Sequence, residues 1–447
     1  MKQRGFSRRS FLKLTAGALG ASLLAACGSS EASQPTQTGS GGGGGGAQPT
    51  TASGSPAPAV ITGVTLRVVG TGVTLLEPIR EQAEKDLGIK LEYDVNDGPA
   101  AQQKAATQPQ SWDLYDQWFN SVKIVWGSGN AAPIDINRIQ EWDKISPMPK
   151  EGKLTPEAKE GDGDAPYRIL YVQPDNTLGS NPTEQISMLP LTFNVDSFGY
   201  RSDLVDEEDV DSWAILFNPK YKGKIGLYSD PSTGLMDLAL GAQAAGLATF
   251  QNIGNMTREE IDTIMEILIE QKRAGQFRAF WNSFDESVNL MASGEVVVES
   301  MWSPAVTALQ VRDVPVVYAS PKEGYRGWYG GMMLNKNASD KVLDACYEYL
   351  NWWLNGWAGA VVARQGYYFC IPENVKRHLS QADWDYWYDG KPAAEDLLDP
   401  FGSVVAKAGS VRDGGDLVTR VSNIAVWNSV MDEHQYLVTK WNEFLAS

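Results

Sequence analysis

Apolar and polar positions follow one another from Val64 onward in patterns that predict strands and helices in turn. Residues 66–69 form a short apolar run that is typical of a buried strand. Residues 75–87 carry apolar side chains at helical spacing and stop at a glycine, and residues 89–93 predict a second strand. A strand, a helix and a strand in this order favour a βαβ unit with a parallel sheet.

The rest of the chain continues this alternation, so we predict an α/β fold. Two helices begin with a capping box, one at Thr257 with Glu260 and one at Ser283 with Glu286. Further strands are predicted at residues 112–116, 191–200, 224–228, 296–301 and 327–335. Further helices are predicted at residues 235–245 and after Ser339.

The N-terminus has the features of an export signal. Arg8 and Arg9 lie in a Ser-Arg-Arg-Ser-Phe-Leu-Lys sequence that is typical of the twin-arginine pathway. The apolar stretch that follows is too short for a membrane-spanning helix, which needs about 20 residues. It ends in Leu-Ala-Ala-Cys, which resembles the bacterial lipoprotein box with Cys27 as the lipidated residue.

We therefore expect residues 1–27 to direct export by the twin-arginine pathway. Lipid on Cys27 would then hold the protein at the outer face of the cytoplasmic membrane or in the periplasm, with no other membrane contact. An uncleaved signal anchor is the alternative. Residues 28–63 are rich in Gly, Ser, Thr and Pro and cannot bury enough apolar surface to fold, so they predict a disordered tether.

Composition excludes several classes of function. The 447-residue chain carries a formal net charge of −17, which argues against a nucleic-acid partner. Two His and three Cys are too few for a zinc ribbon or a multi-His metal centre. No Gly-x-Ser-x-Gly elbow is present, so a serine hydrolase is not indicated. We predict no enzymatic activity, no metal and no cofactor.

Four stretches resemble a known family. The most specific is Ser-Trp-Ala-Ile-Leu-Phe-Asn-Pro-Lys-Tyr-Lys-Gly-Lys-Ile at residues 212–225. The others are Met-Ala-Ser-Gly-Glu-Val followed by Met-Trp at residues 291–302, Pro-Lys-Glu-Gly before Trp at residues 321–328, and residues 134–147. Together they resemble the extracellular solute-binding proteins (family 1) of ABC transporters, and within them the spermidine/putrescine-binding branch.

The resemblance implies a two-lobed, periplasmic-binding-protein-like (type II) fold. Each lobe would be a mixed, mostly parallel sheet flanked by helices, with the ligand in the cleft between lobes. Lobe 1 would comprise residues 64–192, with about 330–370 returning to it. Lobe 2 would comprise residues 193–329 and part of the C-terminal helices in 371–447. It implies a monomer that closes on a small solute and serves an ABC permease with its ATPase.

A polyamine site needs aromatic faces for cation–π contact and carboxylates for the ammonium groups. The resemblance places ligand-binding side chains at Trp302, Trp328, Tyr367 or Tyr368, Trp427 and Asn428. Loop and strand-end positions add Asp230, Asp116 and Thr71 as candidates. Because the chain has fifteen Trp, ordinary core packing is the alternative for each aromatic residue.

Two family carboxylates have no counterpart in this sequence. Gly330 stands where the family has an Asp, and Gly234 stands near a second expected acid. Other acids, such as Glu299, are candidates to compensate. We therefore expect a ligand with fewer positive charges than spermidine, or a zwitterionic or uncharged solute. A sugar is the main rival ligand because Trp also stacks on sugar rings.

Two further questions stay open at this point. Cys346 and Cys370 either form a disulfide in the oxidising compartment or remain buried free thiols. A secreted hydrolase and a sensor lipoprotein of the same fold are the alternative functions. The hydrolase would need paired carboxylates in a groove, and no such pair is recognisable in the sequence.

Overall fold

The computed structural model describes residues 63–447. The predicted signal with Arg8, Arg9 and Cys27, and the tether up to residue 62, lie outside the described residues. Within residues 63–447, every helix is too short or too polar to pass through a lipid bilayer.

Nineteen strands are formed in the described part of the chain, and most of them are short. They are β1 Thr65–Gly70, β2 Lys90–Val95, β3 Leu114–Trp118, β4 Ala131–Ala132, β5 Ile134–Asp135, β6 Asp162–Gly163, β7 Tyr171–Val172, β8 Leu178–Gly179, β9 Gln185–Ile186, β10 Leu189–Arg201, β11 Ile225–Tyr228, β12 Phe277–Trp281, β13 Val298–Met301, β14 Val316–Tyr318, β15 Tyr325–Asn335, β16 Tyr368–Phe369, β17 Leu397–Leu398, β18 Val404–Ala406 and β19 Ile424–Trp427.

Fourteen α-helices accompany these strands in residues 63–447. They are α1 Glu77–Leu87, α2 Gly98–Thr107, α3 Val122–Gly127, α4 Met148–Glu151, α5 Gly234–Ala244, α6 Arg258–Arg273, α7 Phe284–Ser293, α8 Ser303–Gln310, α9 Asp340–Leu354, α10 Trp357–Ala363, α11 Pro372–Lys376, α12 Gln381–Trp387, α13 Leu417–Val421 and α14 His434–Ala446. The α/β prediction is confirmed.

Two parallel strand groups are joined by long antiparallel strands. In the first group β1 lies between β2 and β3, and in the second β11 lies between β12 and β13. Strands β10 and β15 pair with each other along most of their length. On its other edge β15 pairs with β3 of the first group through residues 330–334, and past the stretch shared with β15, β10 pairs with β13 of the second group. The third connection, β19, runs parallel to β15.

The apolar side chains fall into separate cores on either side of these crossing strands. The first core collects side chains of β1–β3, α1, α9 and α10. The second collects those of β11, α5, α6 and α14, and a smaller cluster surrounds α7 and α8. Strand β10 contributes Val195 to the first core and Phe198 to the second, so the chain passes between lobes there. Most of the apolar side chains in residues 371–424 pack into the first core, and α14 packs into the second.

The capping box at Thr257 is present as predicted. The Glu260 N–H donates to Thr257 Oγ1 at 3.2 Å, and the Thr257 N–H donates to the Glu260 carboxylate at 2.9 Å. These two bonds satisfy backbone donors that the first turn of a helix leaves without partners, so α6 begins at Arg258.

Cys346 and Cys370 are free thiols in the structure, so the disulfide alternative is wrong. Each is buried in the apolar first core. Burial raises the pKa of both thiols, because the core does not solvate a thiolate.

Glu299 is a carboxyl group without partners in the second lobe. It lies in β13 between Gly199 of β10 and Gly226 of β11, and the missing side chain at Gly226 leaves room for its carboxyl group. The residue is 0% exposed, and within the described part of the chain neither carboxyl oxygen has a hydrogen-bond partner. Desolvation raises the pKa of Glu299 to about 8.

We predict that Glu299→Gln changes the pH dependence of stability. The folded pKa is about 8 and the ordinary value is 4.5, so only the folded state holds this proton between those pH values. The free energy of unfolding of the wild type should therefore fall as pH rises through this window, by at most about 1.4 kcal/mol per pH unit. Glu299→Gln should lack that slope. Urea unfolding at pH 5, 6, 7 and 8 measures it, and parallel curves for both proteins would contradict the assignment.

Candidate functional site

The carboxyl ends of the parallel strands from both groups meet in one cleft. Loops after β1 and β3 enter it from the first lobe, and loops after β11 and β13 enter it from the second. Ligands of open α/β sheets bind at such strand ends, because the connecting loops converge there. The cleft has a volume of about 950 Å³, which is ample for a small organic solute.

Aromatic rings line the first-lobe side of the cleft. Trp328 of β15 lies 6.3 Å from Trp118 and 5.6 Å from Tyr367, ring centre to ring centre, with the rings nearly edge to face. All three residues line the cleft. This packing fixes the rings in place, and it leaves aromatic surface for a cation or an aliphatic chain.

A second aromatic group lies on the other side. Trp302, directly after β13, contacts Tyr228 at 5.1 Å and Trp281 at 4.8 Å, again nearly edge to face. Trp281 is fully buried and supports the other two rings, which line the cleft. The two groups therefore present aromatic surface from both lobes.

Arg326 is the central charge of the site. The residue is 1% exposed, and its guanidinium donates to Asp237 at 2.8 Å and to the Asn428 side-chain oxygen at 2.7 Å. Its Nη1 lies 3.3 Å from the Asp196 carboxylate. Asp237 also accepts a hydrogen bond from the Ser300 hydroxyl at 2.5 Å. The guanidinium thus compensates two buried carboxyl groups.

Two opposing effects act on the pKa of Asp196. Burial raises the pKa of this carboxyl to about 6, and the positive charge of Arg326 limits the rise. Asp196 lines the cleft together with Arg326. Near neutral pH its negative charge is therefore already paired inside the protein.

Asp230 is a half-buried carboxylate at the cleft wall. It lies in the loop before α5, where its Oδ1 accepts the Ser232 N–H at 2.9 Å and the Thr233 hydroxyl at 2.8 Å. Among the described residues no Lys or Arg forms an ion pair with it. Desolvation raises the pKa of Asp230, and the hydrogen bonds from Thr233 and Ser232 oppose that rise.

Two further polar groups lack partners within the described part of the chain. Asn120 is buried at the cleft wall, and its side-chain oxygen accepts no hydrogen bond. His434 lines the cleft, and its buried Nδ1 is likewise without a partner. Burial lowers the pKa of His434, which favours the neutral ring. An acceptor left without a donor in a binding cleft is suited to a ligand N–H group.

Six of the predicted ligand-binding residues line the cleft and three do not. The six are Thr71, Asp230, Trp302, Trp328, Tyr367 and Asn428. The other three, Tyr368, Trp427 and Asp116, are buried behind its walls.

The three outlying residues serve other contacts. Tyr368 is fully buried and packs on Phe193 in the first core. Trp427 is 1% exposed and donates its ring N–H to the Glu160 carbonyl at 2.9 Å. Asp116 is buried in β3 against Gly70 of β1, and desolvation raises its pKa to about 7.

The two glycine positions explain why the expected carboxylates are missing. A Cβ at Gly234 would lie 2.0 Å from the Tyr228 carbonyl oxygen, so no side chain fits there. A Cβ at Gly330 would lie 3.0 Å from Thr192 Oγ1 inside the sheet. Neither glycine lines the cleft. An acid at Gly330 would therefore be buried beside Thr192, so Gly330→Asp does not add a carboxylate to the cleft.

The sequence patterns did not indicate five further residues that line the cleft: Arg326, Asp196, Asn120, Trp118 and Tyr228. A usable signal existed for the first two, because each is a lone charge inside an otherwise apolar or glycine-rich strand. Two isolated opposite charges in predicted core strands indicate a buried ion pair.

Comparisons with known proteins agree with this architecture. The sequence profile of the bacterial extracellular solute-binding protein family matches residues 79–378. The spermidine/putrescine-binding periplasmic protein of Escherichia coli (strain K12) is 29% identical over 154 residues, which is 34% of this chain and 41% of that protein. The chain thus matches less than half the length of that relative.

Solved structures share the fold at low sequence identity. One is the spermidine/putrescine ABC transporter substrate-binding protein PotD of Streptococcus pneumoniae, with a TM-score of 0.58 and 15% identity over 86% of this chain and 98% of that one. Another is MotA of A. tumefaciens B6 in complex with glucopine, with a TM-score of 0.52 and 13% identity over 85% of this chain and 99% of that one.

These likenesses establish a two-lobed fold with the cleft between the lobes, as the sequence predicted. Proteins with this fold bind different solutes, so the fold alone does not define the ligand. The family comprises solute-binding proteins, so the prediction that the chain is not an enzyme is confirmed. The predicted family is also confirmed, because the match spans more than half of the chain: the protein belongs to the bacterial extracellular solute-binding proteins.

Proposed function

We propose that this protein is the lipid-anchored substrate-binding component of an ABC importer that captures a small, polyamine-like organic amine. The observation that carries the proposal is the cleft itself, in which aromatic surface from both lobes lies near the half-buried carboxylate of Asp230, which forms no ion pair with a Lys or Arg among the described residues. Aromatic faces attract a desolvated ammonium group and also cover an aliphatic chain. The likeness to spermidine/putrescine-binding proteins supports the amine class.

The proposed ligand carries fewer positive charges than spermidine. Asp196 is paired with Arg326, and the two family acids are replaced by Gly234 and Gly330. Of the other cleft carboxylates, Asp97 is exposed and Asp399 accepts two backbone N–H groups of its own turn, so a second or third ammonium would be less completely compensated. One ammonium on Asp230, with the rest of the molecule along the aromatic rings and a donor on Asn120, fits the cleft.

A zwitterionic or uncharged solute, a sugar among them, is the alternative ligand class. The observation that favours it is Arg326, a cation on the cleft wall that an acidic group of a ligand would approach. The carboxylates of Asp196 and Asp237 already neutralise that cation, which is why we rank this class second.

We propose further that delivery requires movement of the lobes. Three chain segments cross between them, β10, β15 and β19, and few connections of this kind permit closure by hinge motion. The predicted lobe limits, residues 64–192 with 330–370 and residues 193–329, belong to this proposal. A permease with its ATPase is the proposed partner, and a sensor lipoprotein of the same fold would lack it.

A ligand screen tests the proposed class. We expect n-alkylamines to raise the melting temperature more than putrescine, amino acids or sugars do, because a ligand specific for the folded state adds about 2.7 kcal/mol at a hundredfold excess over Kd. Spermidine should bind weakly, because two missing charge-assisted bonds remove about 3–6 kcal/mol. Asp230→Asn should weaken amine binding about tenfold or more in titration calorimetry. A sugar that binds tightly while all amines fail would overturn the amine class.

A matched pair of tryptophans tests the cleft walls. Trp302→Ala should weaken binding by about 1–3 kcal/mol and cost less in stability, because its ring faces the cleft. Trp427→Ala should instead lose about 3–5 kcal/mol of stability, because that ring is buried and hydrogen-bonded. Calorimetry and chemical unfolding on both variants separate the two roles. If Trp302→Ala lost stability alone, its ring would belong to the core.

Anchoring is tested in cells. Cys27→Ala should release the protein from the membrane fraction, because the proposed lipid is attached to that residue alone. Arg8→Lys combined with Arg9→Lys should block export, because the twin-arginine pathway reads both side chains. Fractionation followed by immunoblotting measures both outcomes. A Cys27→Ala protein that stays in the membrane fraction would contradict lipid anchoring.

A further inference from the structure

A C-terminal hairpin forms part of the cleft and lies beyond the region that matches the family profile. Strands β17 and β18 are antiparallel and are joined by residues 399–403. The Asp399 carboxylate accepts the backbone N–H groups of Phe401 and Ser403 at 2.8 Å each, which holds the turn in shape. The family match ends at residue 378, and the hairpin begins at Leu397.

The hairpin is rooted in the first lobe. Leu397 and Ala406 are buried in the first core, one on each strand, and Val405 packs against the same core. The hairpin therefore moves with the first lobe rather than as a free loop.

The segment that follows the hairpin contacts the second lobe at two places. The Lys407 ammonium pairs with Asp313 at 2.5 Å, just beyond the end of α8. The Asp413 carboxylate accepts the Gln310 side-chain N–H at 3.0 Å and the Tyr318 backbone N–H at 2.9 Å. The hairpin and the segment that follows it thus bridge the two lobes at one end of the cleft.

The hairpin faces the ligand space directly. Its cleft-lining residues are Asp399, Ser403, Val404 and Val405, and α8 contributes Thr307 and Ala308 to the same cleft. Strand β18 packs against α8, which begins immediately after Trp302. Strand β18 therefore bounds the cleft on the side of Trp302 from which α8 extends.

The geometry points to the β17–β18 hairpin as the specificity wall of this protein, which limits the length of the solute that the cleft accepts. This inference deepens the proposed function and rests on it for the class of ligand. A solute that extended past the wall would have to displace β18 from α8 and break the Lys407–Asp313 pair. Solutes short enough to end before Val404 meet no such cost.

Titration calorimetry with n-butylamine, n-hexylamine and n-octylamine tests the wall. Val404→Trp should weaken binding of n-octylamine about tenfold or more and that of n-butylamine by less than about twofold, because the added ring takes space at the wall. Val404→Ala should instead strengthen the binding of n-octylamine, because the smaller side chain opens space at the wall. Phe401→Ser is the matched control, because Phe401 is 61% exposed at the tip and does not line the cleft. If each Val404 substitution changed the affinity for all three amines by the same factor, the proposal that the hairpin limits solute length would be wrong.

A second measurement does not depend on which solute binds. In the ligand-free protein, replacing residues 399–403 by Asn-Gly keeps a two-residue hairpin and removes the tip. Acrylamide should then quench tryptophan fluorescence more strongly, and the increase should be absent in a Trp302→Phe background. Circular dichroism checks that the variant is folded, and Val404→Ala provides the same test without shortening the chain. Unchanged quenching in both variants would contradict the proposal that the hairpin is the specificity wall. Increased quenching without any amine binding would support that proposal and would reject only the amine class of ligand.

Discussion

The arrangement of this protein depends on a buried guanidinium. Arg326 of β15 lies directly opposite Asp196 of β10 in the antiparallel register, at the point where these strands leave the first lobe. It also binds Asp237 of the second-lobe helix α5 and Asn428, which follows the third crossing strand β19. One side chain thus ties three crossing segments to the second lobe. Removing one partner of such a buried pair leaves the other charge uncompensated and lowers the free energy of unfolding by about 3–5 kcal/mol.

The same cluster determines what the cleft can recognise. Asp196, which lines the cleft, and the fully buried Asp237 already bind a cation of the chain. The recognition left to the ligand comes from aromatic surface, from Asp230 and from the unpaired oxygen of Asn120. Under the proposed function, this combination favours a molecule with a long apolar part and one charged end. Under the proposed function, a high-charge polyamine would find as further counter-ions only Asp97, which is exposed, and Asp399, which accepts two N–H groups of its own turn.

A strongly shifted pKa does not by itself identify a residue of the binding site in this protein. Asp116 and Glu299 have pKa values raised to about 7 and about 8, yet neither lines the cleft. Both lie in sheet strands beside glycines of a neighbouring strand, where burial is the largest cause of the raised pKa. Asp196 is shifted less, to about 6, because Arg326 compensates it, and it does line the cleft. Position relative to the strand ends is the better guide to the site here.

The sequence by itself determined the alternation of strands and helices, the parallel order of β1 and β2, the start of α6, and the placement of Trp302 and Asp230 at strand ends. Those features depend on local patterns or on a motif at fixed spacing, which one stretch of chain contains completely. Only the tertiary structure decided that Trp427 and Tyr368 are core residues, that Gly330 faces Thr192 rather than the cleft, and that the C-terminal hairpin forms a wall. Each of these depends on which distant strand packs against the residue, and side-chain burial is set by that neighbour rather than by the residue's own sequence context.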